Sequence, residues 1–266
     1  MLKLSANISL MFGDLPLLQR PLAARKSGFR FVEIMYPYET NASDLADALA
    51  ASRLELTVLN LPPGDQNLGE KGLAAYRHSS DGFRRSLMEG LAYAQTVKCK
   101  RVHLLTGNLR KGDDFHSVRS TLVTNIREAA DFFGKHGIKV LLEPLSRKML
   151  PDYSLTTVEQ AVDLIDAVGR ANVRLQLDLY HTQMEQGNLS QLIHDHFEYI
   201  DYVQVAGVPG RHEPDVGEIH YPYIFKLLED KRFDGPLGCE YVPQGSTTSG
   251  LKWAHDRGYL AMDEGP

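Results

Sequence analysis

Four polar side chains interrupt the last four strongly apolar runs of the chain. They are Glu143 in Val140–Leu145, Asp178 in Leu175–Leu179, Gln204 in Tyr202–Val205 and Glu240 in Leu237–Tyr241. An ionised carboxylate in a strand that reads as buried is costly unless a partner compensates it. Three carboxylates and one amide, one per run, point to a shared partner: a hard divalent cation bound through oxygen. The four positions are separated by 35, 26 and 36 residues, and a strand-crossover-strand unit takes ~30 or more residues. The same pattern therefore carries chemistry and architecture.

The elements that must position these groups alternate along the whole chain. Strand candidates are Leu2–Ile8, Phe29–Met35, Leu54–Leu59, Arg101–Leu105, Lys139–Leu142, Val173–Leu177, Tyr202–Val205 and Leu237–Tyr241. Helical patterns lie between them at Ser43–Ala51, Gly82–Val97, Val118–Phe133, Val158–Val168 and Tyr223–Glu229. In Val118–Phe133 the apolar residues Val118, Leu122, Ile126, Ala129, Ala130 and Phe133 keep helical spacing and predict one buried face. Gly28 and Gly137 stand where a helix should end, Asn41 or Ser43 where one should begin, and Thr156-Thr-Val-Glu159 reads as a capping box. Eight such units in 266 residues predict an α/β fold, a (β/α)8 barrel of residues 1–266 in one domain. An open doubly wound sheet would favour a glycine-rich loop after the first strand, and Ser9–Gly13 is not one.

Strand parity then aims the polar groups. Asp178 shares a face with Gln176, Gln204 with Tyr202, and Glu240 with Gly238, each late in its strand, where barrel enzymes gather their working groups. Asn7 and Asn60 follow the first and third strands, and His181 lies just beyond the sixth. His103, inside Arg101–Leu105, reads as a core histidine. The loop after the seventh strand, Gly207-Val-Pro-Gly-Arg-His-Glu-Pro214, sets Arg211, His212 and Glu213 beside the mouth. The planar fork of Arg211 suits a carboxylate.

Composition narrows the field. A formal net charge of −5, with signs interspersed, gives no electrostatic case for nucleic acid or an anionic membrane. No apolar run approaches the ~18 residues of a membrane span, and the N-terminus has no long apolar core, so a cytoplasmic location is expected. Cys99 and Cys239 are expected as free, buried thiols. Oligomeric state is open, with a homo-oligomer allowed.

Taken together, Pro209-Gly-Arg-His-Glu-Pro214, Gly217-Glu-Ile219 and Gly238-Cys-Glu-Tyr241 closely resemble the hydroxypyruvate isomerase family of xylose-isomerase-like barrels. The resemblance extends through Ser5–Gly13, Phe29–Pro37, Asn60-Leu-Pro-Pro-Gly-Asp65 and Gln176-Leu-Asp-Leu-Tyr-His181. It implies a Mg2+ or Mn2+ site at Glu143, Asp178, Gln204 and Glu240, with Glu143 and Glu240 also moving protons. A small sugar acid is the expected substrate, held by Arg211 and His212 at its carboxylate and by His181, Asn7 and Asn60 elsewhere. The expected reaction converts hydroxypyruvate and tartronate semialdehyde through an enediol. Leu145-Ser146 after Pro144 looks more like the related 2-oxo-tetronate isomerases, whereas Asn60-Leu-Pro and Pro209-Gly-Arg look like the hydroxypyruvate enzymes. A sugar epimerase of the same superfamily and a barrel that binds a sugar acid without turnover are the remaining alternatives.

Overall fold

Each expected strand forms in the computed structural model, which describes residues 2–76 and 80–261. They are β1 (Lys3–Asn7), β2 (Phe31–Ile34), β3 (Glu55–Asn60), β4 (Arg101–His103), β5 (Lys139–Leu142), β6 (Val173–Asp178), β7 (Ile200–Val205) and β8 (Pro236–Cys239). Neighbours pair in parallel around the ring, and β8 returns to β1 with Leu237 opposite Leu4, closing the barrel. Parallel strands require crossovers. These include α1 (Arg20–Lys26), α2 (Ala42–Ala51), α3 (Ser80–Thr96), α4 (Phe115–Gly134), α5 (Val158–Val168), α6 (Leu179–Glu185), α7 (Leu189–His196) and α8 (Tyr221–Asp230). No helix among the described residues is long and apolar enough to cross a membrane.

The helices form where periodicity and capping agree. All six apolar residues anticipated on one face of α4 are buried, the larger ones each contributing roughly 1.5–3 kcal/mol when fully withdrawn from water. Asp114 and Ser117 bond reciprocally at its start, satisfying backbone donors that a helix leaves unpaired. Asn41 caps α2 by accepting from Ser43 N–H. The box at α5 sits one residue later than its sequence suggests: Thr157 and Gln160 cap each other. Gln160 Oε1 takes the Thr156 and Thr157 N–H groups, and Glu159 instead receives Gln186 Nε2. Gly28 and Gly137 hold positive φ angles of 93° and 66° in the turns that lead into β2 and β5. Both cysteines are free and buried.

The interior of the barrel is largely polar. Thr57 on β3 meets Tyr202 on β7 at 2.7 Å and Ser5 on β1 at 2.8 Å, and Tyr202 also donates to Glu33 on β2. None of these three strand pairs are neighbours in the sheet, so the bonds cross the barrel. Nearer the strand N-termini, Asp201 of β7 is paired with Arg101 of β4 at 2.6 Å and with Lys139 of β5. Only Val58, Leu141 and Tyr202 form a separate apolar cluster among the described residues. The main core lies outside the barrel, between strands and helices.

Candidate active site

The four residues singled out by the apolar runs end four consecutive strands. Asp178 closes β6, Gln204 is the penultimate residue of β7, and Glu143 and Glu240 follow β5 and β8 directly. All four are buried. A cavity of about 210 Å³ opens over this end of the barrel, and Glu143, Glu240, His181, Arg211, Asn60 and His103 are among the side chains that line it. Of the anticipated substrate contacts, Asn60, His181 and Arg211 reach the cavity, while Asn7 and His212 are not among its lining residues. Asn7 Nδ2 is bonded to Glu33 at 2.9 Å, and His212 Nδ1 lies 2.8 Å from Val242 O.

Asp178 has two distinct roles for its two oxygens. Oδ1 caps α6 by accepting from Tyr180 N–H and His181 N–H at 2.7 and 3.4 Å. Oδ2 is buried without a hydrogen-bond partner, with Arg211 Nη2 at 3.6 Å and His181 Nε2 at 3.8 Å. A buried carboxylate oxygen that no donor reaches is suited to a cation. Glu143, Asp178 and His181 bring potential ligand atoms within 4.8 Å of one another. The histidine is the weaker ligand of the three. Its Nδ1 accepts the Ser146 backbone N–H at 3.2 Å, which leaves the hydrogen of the neutral ring on Nε2. Burial pushes the His181 pKa down to about 4, so this ring is a neutral Nε2–H donor.

The carboxylates crowd one another. Burial, followed by Glu240 and Asp178, pushes the Glu143 carboxyl well above its ordinary range. Burial pushes Glu240 up to about 8 although Arg211 works the other way. Arg211 Nη2 stands 3.1 Å from Glu240, and its guanidinium lies over the Tyr180 ring with 5.1 Å to the centroid. Its backbone is held in the left-handed region (φ 56°) by bonds from Arg211 N to Gly207 O and from Val242 N to Arg211 O.

Gln204 sits one step deeper. Its Nε2 donates to Glu33 Oε1 at 3.0 Å and its Oε1 accepts from Gln176 Nε2 at 2.7 Å; Gln176 Nε2 also donates to Glu143 Oε2 at 2.8 Å. Glu33, pushed up to about 7 by burial, was not singled out from the sequence. The signal was available, because Phe31-Val-Glu-Ile34 is another apolar run broken by one carboxylate. His103 is buried as expected of a core histidine, yet it borders the cavity. Its Nδ1 is 3.2 Å from both Asn60 Oδ1 and Glu143 Oε2, and its Nε2 has no partner.

A barrel of eight parallel strands with buried carboxylates at its C-terminal mouth defines the class, and comparison with known proteins gives the family. The chain belongs to the family described as xylose isomerase-like TIM barrel, whose model matches residues 21–260. It is 41% identical to 2-oxo-tetronate isomerase of Pectobacterium atrosepticum over 95% of this chain and 96% of that protein. It is 39% identical to hydroxypyruvate isomerase of Escherichia coli, over 95% and 98% of the two chains. A crystal structure described as AP endonuclease, family 2, from Brucella melitensis superposes with a TM-score of 0.94 at 40% identity, covering 98% of this chain and all of that one.

Proposed function

We propose that the chain is an aldose–ketose isomerase that interconverts hydroxypyruvate and tartronate semialdehyde, acting as one barrel domain on a small sugar acid. The observation that carries this reading is the pair Glu143 and Glu240, buried at one cavity with both carboxyl groups pushed toward neutrality. Such a pair lets one member hold a proton while the other takes one. One glutamate removes a proton from C3 of hydroxypyruvate to give the enediol, and the other returns a proton to C2. The hydrogen moves between O2 and O3 in the same exchange, so the product has the composition of the substrate. The neutral His181 Nε2–H is placed to donate to one of those oxygens.

The donor set fits a divalent cation, Mg2+ or Mn2+, with Glu143, Asp178 and Glu240 as its holders and Gln204 completing the set anticipated from sequence. When bound, such an ion supplies Lewis-acid stabilisation of charge on neighbouring oxygens. The orphaned Asp178 Oδ2 and the two raised glutamates support this: three carboxyl groups share the single guanidinium of Arg211, which does not offset their burial and mutual repulsion. The hydroxypyruvate and 2-oxo-tetronate relatives match almost equally, which makes the four-carbon acid the second substrate to test. The endonuclease description of the Brucella structure concerns chemistry on a polyanion. Net charge −5 and a mouth lined by carboxylates favour a small acid over a phosphate backbone here.

The test is a coupled assay on metal-loaded and chelator-treated protein, with hydroxypyruvate and 2-oxo-tetronate side by side and the products identified. Formation of tartronate semialdehyde that is lost on chelation and restored by Mn2+ is expected. Turnover unaffected by thorough chelation would reject the cation, and epimerisation without carbonyl migration would reject the isomerase.

A further inference from the structure

A sugar acid needs a cation for its carboxylate, and the residue anticipated for that task already turns its Nη2 to two carboxylates, although its Nε has no hydrogen-bond partner. The guanidinium of Arg211 faces Glu240 and Asp178, and His212 does not line the cavity. The same cavity holds a second cation that the sequence did not single out. Lys71 lines it together with Tyr36, Asn60, Glu143 and Glu240. It is partly exposed and has no ion pair or hydrogen bond to any described residue. The adjacent Glu70 carboxylate turns away, accepting Asp65 N–H at 2.6 Å.

The backbone beside Lys71 is fixed. Gly72 bridges Thr106 just beyond β4, and its N–H donates to Pro63 O at 2.7 Å. Ala75 N–H donates to Thr106 O at 2.8 Å. Gly72 has a φ of 117°, and a Cβ there would clash with Leu105 O. The loop after β3 is therefore pinned to the rim of the next strand, which sets the lysine over the cavity instead of leaving it on a free loop.

We infer that Lys71 binds the carboxylate of the substrate and makes this barrel selective for sugar acids over neutral sugars. The assignment rests on the isomerase reading for the identity of the ligand. Glu143 and Glu240, charged or neutral, offer an acid's carboxylate no attraction, and Lys71 is the cation on the wall whose charge no described carboxylate faces. The acid's C1 then lies toward the β3–β4 rim, and C2 and C3 fall between the two glutamates.

Two ligands that cannot isomerise separate this role from a structural one. Glycerate carries the carboxylate, and glycerol replaces it with a hydroxymethyl group. Their binding is followed by ligand-observed NMR titration of the metal-loaded wild type, Lys71→Met and Lys71→Arg. Wild type is expected to prefer glycerate, and Lys71→Met to weaken glycerate by about 10–100-fold while changing glycerol by less than about threefold. Lys71→Arg should keep most of the preference, and hydroxypyruvate KM should rise in Lys71→Met more than kcat falls. A wild type without preference for glycerate, an unchanged preference in Lys71→Met, or equal losses for both ligands would overturn the assignment. Lysine-dependent preference in a protein that makes no tartronate semialdehyde would uphold Lys71 and reject the isomerase.

Discussion

Replacing Glu240 by Gln should stabilise the metal-free protein while sharply reducing its turnover. In the unfolded chain the carboxyl titrates near 4.5; burial, with Asp178 and Glu33 adding and Arg211 opposing, raises it to about 8 on folding. The sign follows from linkage: a carboxyl with a raised folded pKa is neutral with respect to stability below about pH 4.5 and lowers stability increasingly as pH rises toward the folded value. Each pH unit across that window is worth about 1.4 kcal/mol, so folding at pH 7 carries a burden on the order of 3 kcal/mol from this one group. The substituted amide cannot ionise and does not carry it. The opposing attraction of Arg211 is already contained in the raised value, so the net gain expected is about 2–3 kcal/mol, or roughly 4–10 °C in Tm.

The assay is urea unfolding of chelator-treated wild type and Glu240→Gln at pH 4, 5, 6, 7 and 8. The difference should be near zero at pH 4 and grow steadily above it. Saturating Mn2+ should then favour the wild type, because a ligand that binds the folded state stabilises it by mass action. Turnover should fall by ~10²–10⁴-fold in the variant, as for loss of a positioned acid or base. A variant that is less stable than wild type at pH 7, or a gain of the same size at pH 4 and pH 7, would refute the argument, since neither follows from a suppressed ionisation.

Glu33→Gln should reduce kcat by ~10–100-fold with a smaller change in KM, because its new amide presents N–H where Asn7, Gln204 and Tyr202 already donate; unchanged kcat would remove Glu33 from the working site. Gly238→Ala should cost about 1–3 kcal/mol as overpacking and lower activity, because the added Cβ would clash with Glu33 Oε2 and meet Gln204 Cγ at 2.9 Å; denaturant titration with steady-state rates checks both. Asp201→Asn should lose about 2–4 kcal/mol at pH 7 by leaving Arg101 and Lys139 without their anion. Burial alone would raise the Asp201 pKa, but Arg101 and Lys139 outweigh it and hold it below 3.8. Its contribution is thus present above the unfolded pKa and lost as pH falls through the lower folded value, so the wild-type advantage should shrink only in strong acid; an advantage that persists there would count against the pair.

The barrel and its mouth were legible for one reason. Period-2 strands and carboxylates in apolar runs are both properties of single residues in their local context, and Glu143, Asp178 and Glu240 announced themselves by energetic misfit. Glu33 satisfies the same criterion but stands early in the chain, outside the regular spacing of the other four. Lys71 is unreadable by any such rule, since a lysine in a polar loop has no misfit; its place over the cavity comes from the bridge between Gly72 and Thr106. The division of labour within Asp178, one oxygen capping α6 and the other free, also lies beyond sequence, because either use alone would justify an aspartate there.

Gln204 shows how far a misfit can be right about position without fixing a role. Glu33 when ionised only accepts, so the amide of Gln204 must turn its Nε2 toward Glu33 and its Oε1 toward Gln176. Gln176 must answer with Nε2, and the same nitrogen reaches Glu143 Oε2 while Gln176 Oε1 is left buried without a partner. The direction of every bond in this chain is set at Glu33 and delivered at Glu143. A buried amide with an unsatisfied oxygen costs on the order of 1–3 kcal/mol, and an apolar residue at position 176 would avoid it. Its presence makes sense if the bond to Glu143 is worth that cost in function: a fixed N–H on one oxygen leaves the other oxygen of Glu143 as the one free to meet cation or substrate proton. The deeper carboxylate thereby orients the shallower one, across a barrel interior that a purely apolar filling would have made more stable and unable to do so.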